Sequence, residues 1–185
     1  AGPFAVSVVI DSAGLPHLKA ASPDAGSKTV AELRELCNYA QAPMILKGIM
    51  TVRGAEKAVE AGAAAIVVSN HGGRVLADEP GTAEVLPAIA DAIHGRCMIL
   101  VDGCVKRGTD VEKYIALGAD ACLAGRHFVR GAHGALADGV ELFANTIRNE
   151  LAVAMTLTGA AKVKDINRKM IRMTTPPPLA FGVPA

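Results

Sequence analysis

The sequence predicts an α/β fold in which parallel β-strands alternate with α-helices. Short apolar segments rich in valine and isoleucine recur along the 185-residue chain, as in strands that are buried on both faces. Segments with helical periodicity separate them, and the turns from helix to strand are short. This alternation favours a parallel sheet built from right-handed βαβ units, either as an open doubly wound sheet or as a closed barrel.

The first half of the chain contains three predicted strands and two predicted helices. Val30, Leu33 and Leu36 recur at helical spacing, and Ser27 or Thr29 is the candidate N-cap of that helix. The predicted elements are, in order, a strand at Ala5–Ile10, a helix at Thr29–Ala40, a strand from Met44 to Lys47, a helix from Thr51 to Gly62 and a strand at Ala64–Ser69.

The second half contains two further strands and ends in helix. Gly118 is placed to end the helix before the last strand, because glycine readily adopts the left-handed conformation at helix ends. The predicted elements are a helix at Thr82–Ile93, a strand at Cys97–Val101, a helix at Thr109–Leu117, a strand at Ala121–Ala124, a helix at Gly139–Leu157 and a short piece at Lys164–Met173. Residues 1–173 are predicted to form one domain, and the proline-rich residues 174–185 an extended tail.

Two features favour the barrel over the doubly wound sheet. No GxGxxG sequence follows the first strand, which argues against a dinucleotide-binding sheet. Phosphate-type loops follow the last two strands, where (β/α)8 barrels of about 250 residues bind phosphate after strands seven and eight. We therefore expect the chain to supply about the last five βα units of a (β/α)8 TIM barrel plus a C-terminal helical extension.

A partial barrel would expose a strand edge and its apolar interior. We therefore expect the missing N-terminal part of the barrel to come from a longer protein, of which this chain is a truncated or proteolysed part, or from another polypeptide. The alternative is a homo-oligomer that closes the edges.

Composition argues against several other classes of protein. The net charge is +1 without a basic run, so no nucleic-acid or anionic membrane surface is expected. The apolar segments are shorter than the roughly 20 residues of a spanning helix, and no leader sequence is recognised. The four cysteines form no CxxC pair, so neither a metal site nor a disulfide framework is predicted, and a reducing cytoplasmic setting is expected.

Polar residues or glycine follow each predicted strand, at the edge where parallel sheets bind ligands. After the third strand, His71 and Arg74 lie in a loop with Asn70 and two glycines, and are therefore candidates for function. Each candidate also has a structural alternative: a lysine can extend to solvent, a loop histidine can cap a helix, and an aspartate can cap a turn. The residues at the strand ends are Asp11, Lys47, Ser69, Asp102 and Gly125.

Two glycine-containing loops follow the last two strands. Asp102–Gly108 joins strand to helix and carries Lys106 and Arg107, while Gly125 and Arg126 end the next strand. Backbone N–H groups at a helix start, together with nearby cations, form phosphate sites. One such charge alone would more simply be a solvated residue, but the two loops together predict a phosphate site.

Several of these segments resemble the FMN-dependent α-hydroxy acid dehydrogenase/oxidase family. They match in order and at compatible spacing across most of the chain, and SNHGGR followed by a DGG-type phosphate loop is the most specific feature. The matching stretches are LKGI (Leu46–Ile49), VSNHGGR (Val68–Arg74), DGCVKRGTDV (Asp102–Val111), ALGAD (Ala116–Asp120) and AGR (Ala124–Arg126).

The resemblance implies an enzyme that oxidises a small 2-hydroxy acid to the 2-oxo acid, with FMN as cofactor and hydride transfer to flavin N5. It implies His71 as the base, a role that suits imidazole because it changes protonation near neutral pH. It also implies that Asp11 orients His71 and that Arg74 binds the substrate carboxylate. The implied FMN-binding residues are Lys47 at the N1 edge, Ser69 on the flavin, Asp102 on the ribityl chain, and Gly103, Cys104, Val105, Lys106, Gly125 and Arg126 around the phosphate.

The chain departs from the family pattern at three places. Cys104 stands where the family usually has glycine, Lys106 stands where it has arginine, and the loop after Asp11 lacks a second substrate-binding arginine. Two alternatives therefore stay open: another FMN barrel enzyme such as the flavin-dependent isopentenyl diphosphate isomerase, or a non-catalytic fragment that retains the phosphate site. The substrate side chain, the electron acceptor and the oligomeric state are not specified. Surface or structural roles are expected for His17, His94, His127 and His133.

Overall fold

The computed structural model describes residues 2–14 and 26–174. Apart from Thr174, the predicted extended tail lies outside these residues, as does much of the loop after Asp11. The strands are β1 (Val6–Val9), β2 (Met44–Ile49), β3 (Ala65–Val68), β4 (Met98–Val101) and β5 (Ala121–Cys122). The helices are α1 (Val30–Tyr39), α2 (Val52–Ala61), α3 (Thr82–Ile93), α4 (Gly108–Ala116) and α5 (Arg126–Thr158), with 3-10 turns at Asp11–Gly14, Val163–Asp165 and Arg168–Met170.

The five strands form one parallel sheet whose spatial order is the order of the chain, β1 to β5. A doubly wound sheet would instead reverse its order at a switch point. The sequential order is that of a barrel wall, as predicted. Within the described residues, β1 and β5 each pair with a single neighbour, so both outer edges of this wall are open.

The two faces of the sheet differ in their surroundings because side chains alternate along each strand. On one face, Leu46, Ile66 and Ile99 are buried together against the helices. On the other face, Val9, Lys47, Val67 and Leu100 form a row in register across four strands. This second face corresponds to a barrel interior.

Local sequence determines where α1 and α2 begin and end. Thr29 caps α1 by accepting a hydrogen bond from the Glu32 N–H at 3.2 Å, while the Glu32 carboxylate accepts from the Thr29 N–H at 2.6 Å. Of the two candidate caps, the structure therefore uses Thr29. Thr51 Oγ1 caps α2 by accepting from the Gly54 N–H at 3.0 Å, without a reciprocal contact, and Gly62, at φ 90°, ends the helix.

Helix α5 consists of two helical parts on either side of a kink at Ala135 and Leu136, where the backbone is not helical. The predicted helix Gly139–Leu157 falls in the second part, whereas the first part, which starts at Arg126, was not predicted. Two glycines allow the parts to approach closely: a Cβ on Gly131 would lie 2.6 Å from the carbonyl oxygen of Gly139. Although α5 is long, no helix among the described residues is long and apolar enough to cross a membrane.

Arg168 anchors the segment after α5 to the barrel wall. Its guanidinium donates to the Asp91 carboxylate at 2.9 Å and to the carbonyl groups of Pro87 and Leu117 at 3.0 and 3.3 Å. The hydrogen bond from Arg168 holds the pKa of Asp91 below its ordinary value. The Arg168–Asp91 contact therefore stabilises the fold fully above the ordinary pKa of an aspartate. This stabilisation is lost as the pH falls through the lowered pKa of Asp91 in the folded protein.

The close contact in α5 can be tested by adding a methyl group. In Gly139→Ala, the new Cβ would overlap the Gly131 carbonyl, and we expect unfolding free energy to fall by about 1–3 kcal/mol, as for overpacking. Gly134→Ala is the control, because nothing lies within 4 Å of its Cβ position. Urea denaturation followed by circular dichroism measures both. Equal stability of the two variants would contradict the contact.

Candidate active site

A cavity of about 350 Å³ opens at the carboxyl ends of the strands. Most of the residues predicted from the sequence line it, and the remaining two, Asp11 and Ser69, lie next to it and contact lining residues. The structure thus brings the whole predicted set together. The predicted residues that line the cavity are Lys47, His71, Arg74, Asp102, Gly103, Cys104, Val105, Lys106, Gly125 and Arg126.

Lys47 joins three adjacent strand ends. Its Nζ donates to Ser69 Oγ at 2.6 Å and to Asp102 Oδ2 at 2.8 Å, with Lys47 and Asp102 side chains 21% and 22% exposed. The sequence placed Lys47 at the end of β2, but the strand continues to Ile49 with an irregularity at Gly48. Lys47 therefore points to the interior face from within the strand rather than from its end.

The Asp102 carboxylate retains one unused acceptor. While Oδ2 accepts from Lys47, Oδ1 is buried and has no partner among the described residues. A buried oxygen that lacks a hydrogen bond is energetically unfavourable, typically by about 1–3 kcal/mol. Because Asp102 lines the cavity, a ligand hydroxyl is a suitable donor for this oxygen.

His71 and Asp11 form a pair beside the cavity. His71 Nδ1 lies 3.2 Å from Asp11 Oδ2 and 3.3 Å from Oδ1, and the two side chains are 31% and 11% exposed. With Nδ1 donating to the carboxylate, a neutral imidazole keeps its lone pair on Nε2. Asp11 can approach because Gly48 has no side chain: a Cβ there would lie 2.5 Å from the Asp11 Cβ.

Hydrogen bonds brace the loop that carries His71. Ser69 Oγ accepts from the His71 N–H at 3.1 Å, and Asn70 Oδ1 accepts from the Gly72 N–H at 3.1 Å. His71 itself has φ 55°, a left-handed conformation that is unusual for a residue other than glycine. Arg74 Nε donates to the His71 carbonyl at 3.1 Å, which leaves its terminal nitrogens for a ligand. The loop is therefore held in one conformation that presents both side chains.

The loop after β4 presents a row of backbone donors. Gly103 and Cys104 have φ values of 114° and 54°, and the N–H groups of Gly103, Cys104 and Val105 have no acceptor within the described part of the chain. Consecutive N–H groups with left-handed residues among them form anion-binding concavities. By contrast, the N–H groups of Lys106 and Arg107 donate to Asp110 Oδ2, each at 3.0 Å. The backbone donors available to an anion are thus the N–H groups of Gly103, Cys104 and Val105.

Positive charge surrounds this row of donors. Lys106, Arg126 and Arg130 line the cavity, and none has an ion-pair partner among residues 2–14 and 26–174. The N-terminus of α5 lies at the same wall and contributes unpaired N–H groups and a partial positive charge. An anion is the ligand that this arrangement favours.

Among the lining residues outside the predicted set, His127 and Arg130 are the two with titratable side chains. His127, expected to have a surface or structural role, lines the cavity and stacks on Phe143 with ring centroids 5.4 Å apart. Arg130 follows Arg126 by four residues, so both lie on one face of α5. That spacing was visible in the sequence, but it could not be interpreted because no helix was predicted there.

An anion-binding loop at the carboxyl edge of a barrel wall, beside a histidine paired with a carboxylate, is typical of α/β-barrel enzymes that hold a phosphorylated ligand. Comparison with known proteins then identifies the family. The model of the FMN-dependent dehydrogenase family matches residues 14–173, and the chain belongs to that family. The resemblance found in the sequence is confirmed.

The relatives agree with this assignment. L-lactate dehydrogenases of Yersinia pestis and Yersinia pseudotuberculosis are each 47% identical to the chain over 143 residues, which are 77% of this chain and 38% of the relative. A crystal structure of mandelate oxidase with 3,3-difluoro-2-hydroxy-3-phenylpropionic acid superimposes with a TM-score of 0.79 and 33% identity. A mandelate oxidase variant with a C4a-OH-FMN adduct gives 0.80 and 34%.

The chain spans only part of these proteins. It covers 38% of the length of the curated lactate dehydrogenases, and 54% and 55% of the two mandelate oxidase chains, which themselves match 90% of this chain. The expected partial barrel is confirmed, and nothing in the comparisons supports the isopentenyl diphosphate isomerase alternative.

The left-handed loop after β4 leads to a pair of predictions of opposite sign. Cys104→Gly should raise the unfolding free energy by about 1 kcal/mol, because an L-residue at φ 54° is strained and glycine is not. Gly103→Ala should lower it by more than about 1 kcal/mol, because its Cβ would lie 2.6 Å from Thr82 Oγ1 at an unfavourable φ. Thermal and urea unfolding measure both, and the same sign for the two variants would contradict the described loop.

Proposed function

We propose that the protein to which this chain belongs oxidises a small 2-hydroxy acid to the 2-oxo acid, with FMN as its cofactor. The observation that carries the proposal is the His71–Asp11 pair at the wall of a cavity that is also lined by the anion-binding loop of Gly103, Cys104 and Val105. The names of the relatives, L-lactate dehydrogenase and mandelate oxidase, support the reaction class.

The residues present fit FMN. The N–H groups of Gly103, Cys104 and Val105, with Lys106 and Arg126, would hold the phosphate, and the unpartnered Oδ1 of Asp102 would accept from a ribityl hydroxyl. Lys47 would contact the flavin ring, where its ammonium stabilises negative charge. Ser69, which is fully buried beside the cavity, would orient Lys47 by accepting its hydrogen bond. When bound, FMN supplies the two-electron acceptor that no amino-acid side chain provides.

His71 would act as the general base. With Nδ1 donating to Asp11, its Nε2 is free to take the proton from the substrate hydroxyl. The Asp11 carboxylate then stabilises the imidazolium through the same contact, as a carboxylate does for the histidine of a catalytic triad. The 11% exposure of Asp11 strengthens this interaction, because solvent screens it weakly.

Arg74 would bind the substrate carboxylate. Its backbone contact through Nε fixes the guanidinium while leaving the terminal nitrogens available, and a planar guanidinium matches a carboxylate in two hydrogen bonds. Substrate bound there would place its hydroxyl near His71, because the two residues belong to the same braced loop.

We further propose that the barrel is completed by polypeptide outside this chain, either an N-terminal part of the same protein or other copies in a homo-oligomer. The partial coverage of the relatives supports this, as do the open edges of β1 and β5 in the described sheet.

We also propose a cytoplasmic location, since Cys37, Cys97, Cys104 and Cys122 are all free thiols. Burial raises the pKa of the Cys122 thiol to about 12, so that group is unreactive.

Replacing His71 tests the base. In His71→Gln we expect reduction by L-lactate or another 2-hydroxy acid to slow by about 10²–10⁴-fold, because general base catalysis contributes that much. Flavin binding should persist, since His71 is not among the phosphate ligands. Bleaching of the flavin absorption under anaerobic conditions measures the rate. His133→Gln, on an exposed residue outside the cavity wall, is the control and should bleach like the parent protein.

This experiment also separates the alternatives. A yellow protein that bleaches with a 2-hydroxy acid agrees with the proposal, a yellow protein that no 2-hydroxy acid bleaches contradicts the reaction, and a protein that never binds flavin contradicts the cofactor. An unchanged rate in His71→Gln would remove the assignment of the base.

Gly48 tests whether Asp11 must contact His71. In Gly48→Ala the new Cβ would displace the Asp11 side chain and backbone, and we expect kcat to fall by at least about tenfold because the imidazolium loses its carboxylate. Gly62→Ala is a matched control: Gly62 also has a positive φ, but nothing lies within 4 Å of its Cβ position. Comparable kcat values for the two variants would show that the Asp11 contact is dispensable.

A further inference from the structure

Two hydroxyl groups outside the cavity hold the backbone of the anion-binding loop. The Tyr114 hydroxyl donates to the Gly103 carbonyl at 2.7 Å, and Thr82 Oγ1 donates to the Asp102 carbonyl at 2.8 Å. The two hydroxyl oxygens are themselves 2.9 Å apart, and because each hydroxyl has one proton, that proton is shared between its carbonyl and the neighbouring hydroxyl oxygen. Tyr114 belongs to α4 and Thr82 to α3, so the two helices that flank β4 both reach the same pair of peptide groups.

These contacts determine which way the loop faces. Peptide carbonyl and N–H groups point in opposite directions, so carbonyl groups held on the helix side favour N–H groups directed away from it. The held carbonyls of Asp102 and Gly103 share their peptide groups with the N–H groups of Gly103 and Cys104. These two N–H groups, like that of Val105, have no acceptor in the described structure, and all three residues line the cavity. No other hydrogen bond from a side chain reaches the backbone carbonyls of Asp102 and Gly103 within the described residues.

The two hydroxyls differ in burial. Thr82 is 4% exposed, whereas Tyr114 is half-buried and lines a smaller cavity of about 160 Å³ on the other side of the loop's Gly103 and Cys104. Gly103 leaves no space for a side chain, since its Cβ would meet Thr82 Oγ1 at 2.6 Å. Burial raises the pKa of the Tyr114 phenol, so the hydroxyl stays protonated and remains a donor across the physiological range. Neither hydroxyl lies on the wall of the larger cavity of about 350 Å³, so a direct contact with the ligand is not their role.

We propose that Tyr114 and Thr82 are positioning residues that hold the Gly103–Val105 loop in the conformation that binds the cofactor phosphate. The inference rests on the proposed function, because it needs a phosphorylated ligand in this cavity. Loss of one neutral hydrogen bond corresponds to about a three- to tenfold loss of affinity. The loss should fall on the phosphate rather than on the flavin ring, because the held peptide groups belong to the anion donors.

The experiment compares FMN with riboflavin, which lacks the phosphate. Each flavin is titrated into the full-length protein, and binding is followed by quenching of flavin fluorescence. For Tyr114→Phe we expect FMN to bind about three- to tenfold more weakly, with riboflavin binding unchanged. Tyr39→Phe is the matched control, because Tyr39 is 87% exposed on α1 and should leave both affinities unchanged.

Variants of Thr82 provide a second, independent test, which remains informative even if Tyr114→Phe folds poorly. Thr82→Ser keeps the hydroxyl and should retain FMN affinity, whereas Thr82→Val keeps the shape, loses the donor and should weaken FMN binding. Equal FMN affinity in the parent and Tyr114→Phe would overturn the inference, as would an equal loss for FMN and riboflavin, which indicates general loosening of the fold. Failure of the parent protein to bind FMN would instead overturn the proposed function.

Discussion

The Lys47 ammonium group is the interaction on which the site depends. It joins β2 to the ends of β3 and β4 by side-chain contacts, through Ser69 Oγ and the Asp102 carboxylate. The Lys47 side chain is only 21% exposed, and an ammonium that is largely withdrawn from solvent is unfavourable without partners. The contacts of Lys47 with Ser69 and Asp102 therefore fix the separation of the strand ends. Ser69 Oγ also accepts a hydrogen bond from the His71 N–H, so the position of the His71 loop depends on the same contacts.

The packed sheet and the loops at its carboxyl edge have different roles in this fold. The helix-facing side of the sheet is closely packed, with Ile66, Val68 and Val101 fully buried, and it holds the strands in a fixed register. The functional groups lie on the loops beyond the strand ends, where His71 and Cys104 adopt left-handed conformations that a regular strand or helix would not permit. Such strain persists because the packed wall and the hydrogen bonds around each loop overdetermine its conformation.

Elements with a strong local signal could be predicted from the sequence. The bounds of α3 were predicted at Thr82–Ile93 and are observed there, and the caps at Thr51 and Gly62 were also located. The start of α5 was not, because Gly131 and Gly139 weaken local helix propensity and their purpose is a contact between two parts of the same helix. For the same reason the cations on the first turns of α5 could not be recognised as a group.

The sequence by itself determined the order of strands and helices, the position of the polar loops at the carboxyl edge, and the residue types gathered there, since these follow from periodicity and short-range turn preferences. The tertiary structure decided how most of these groups interact. The family resemblance had implied that Asp11 contacts His71, but only the structure paired Lys47 with Asp102, gave the Lys106 and Arg107 N–H groups to Asp110, and placed the Tyr114 hydroxyl on the Gly103 carbonyl. The physical reason is that each of these contacts depends on the register and packing of elements distant in sequence, or on competition between acceptors, and periodicity carries no information about either.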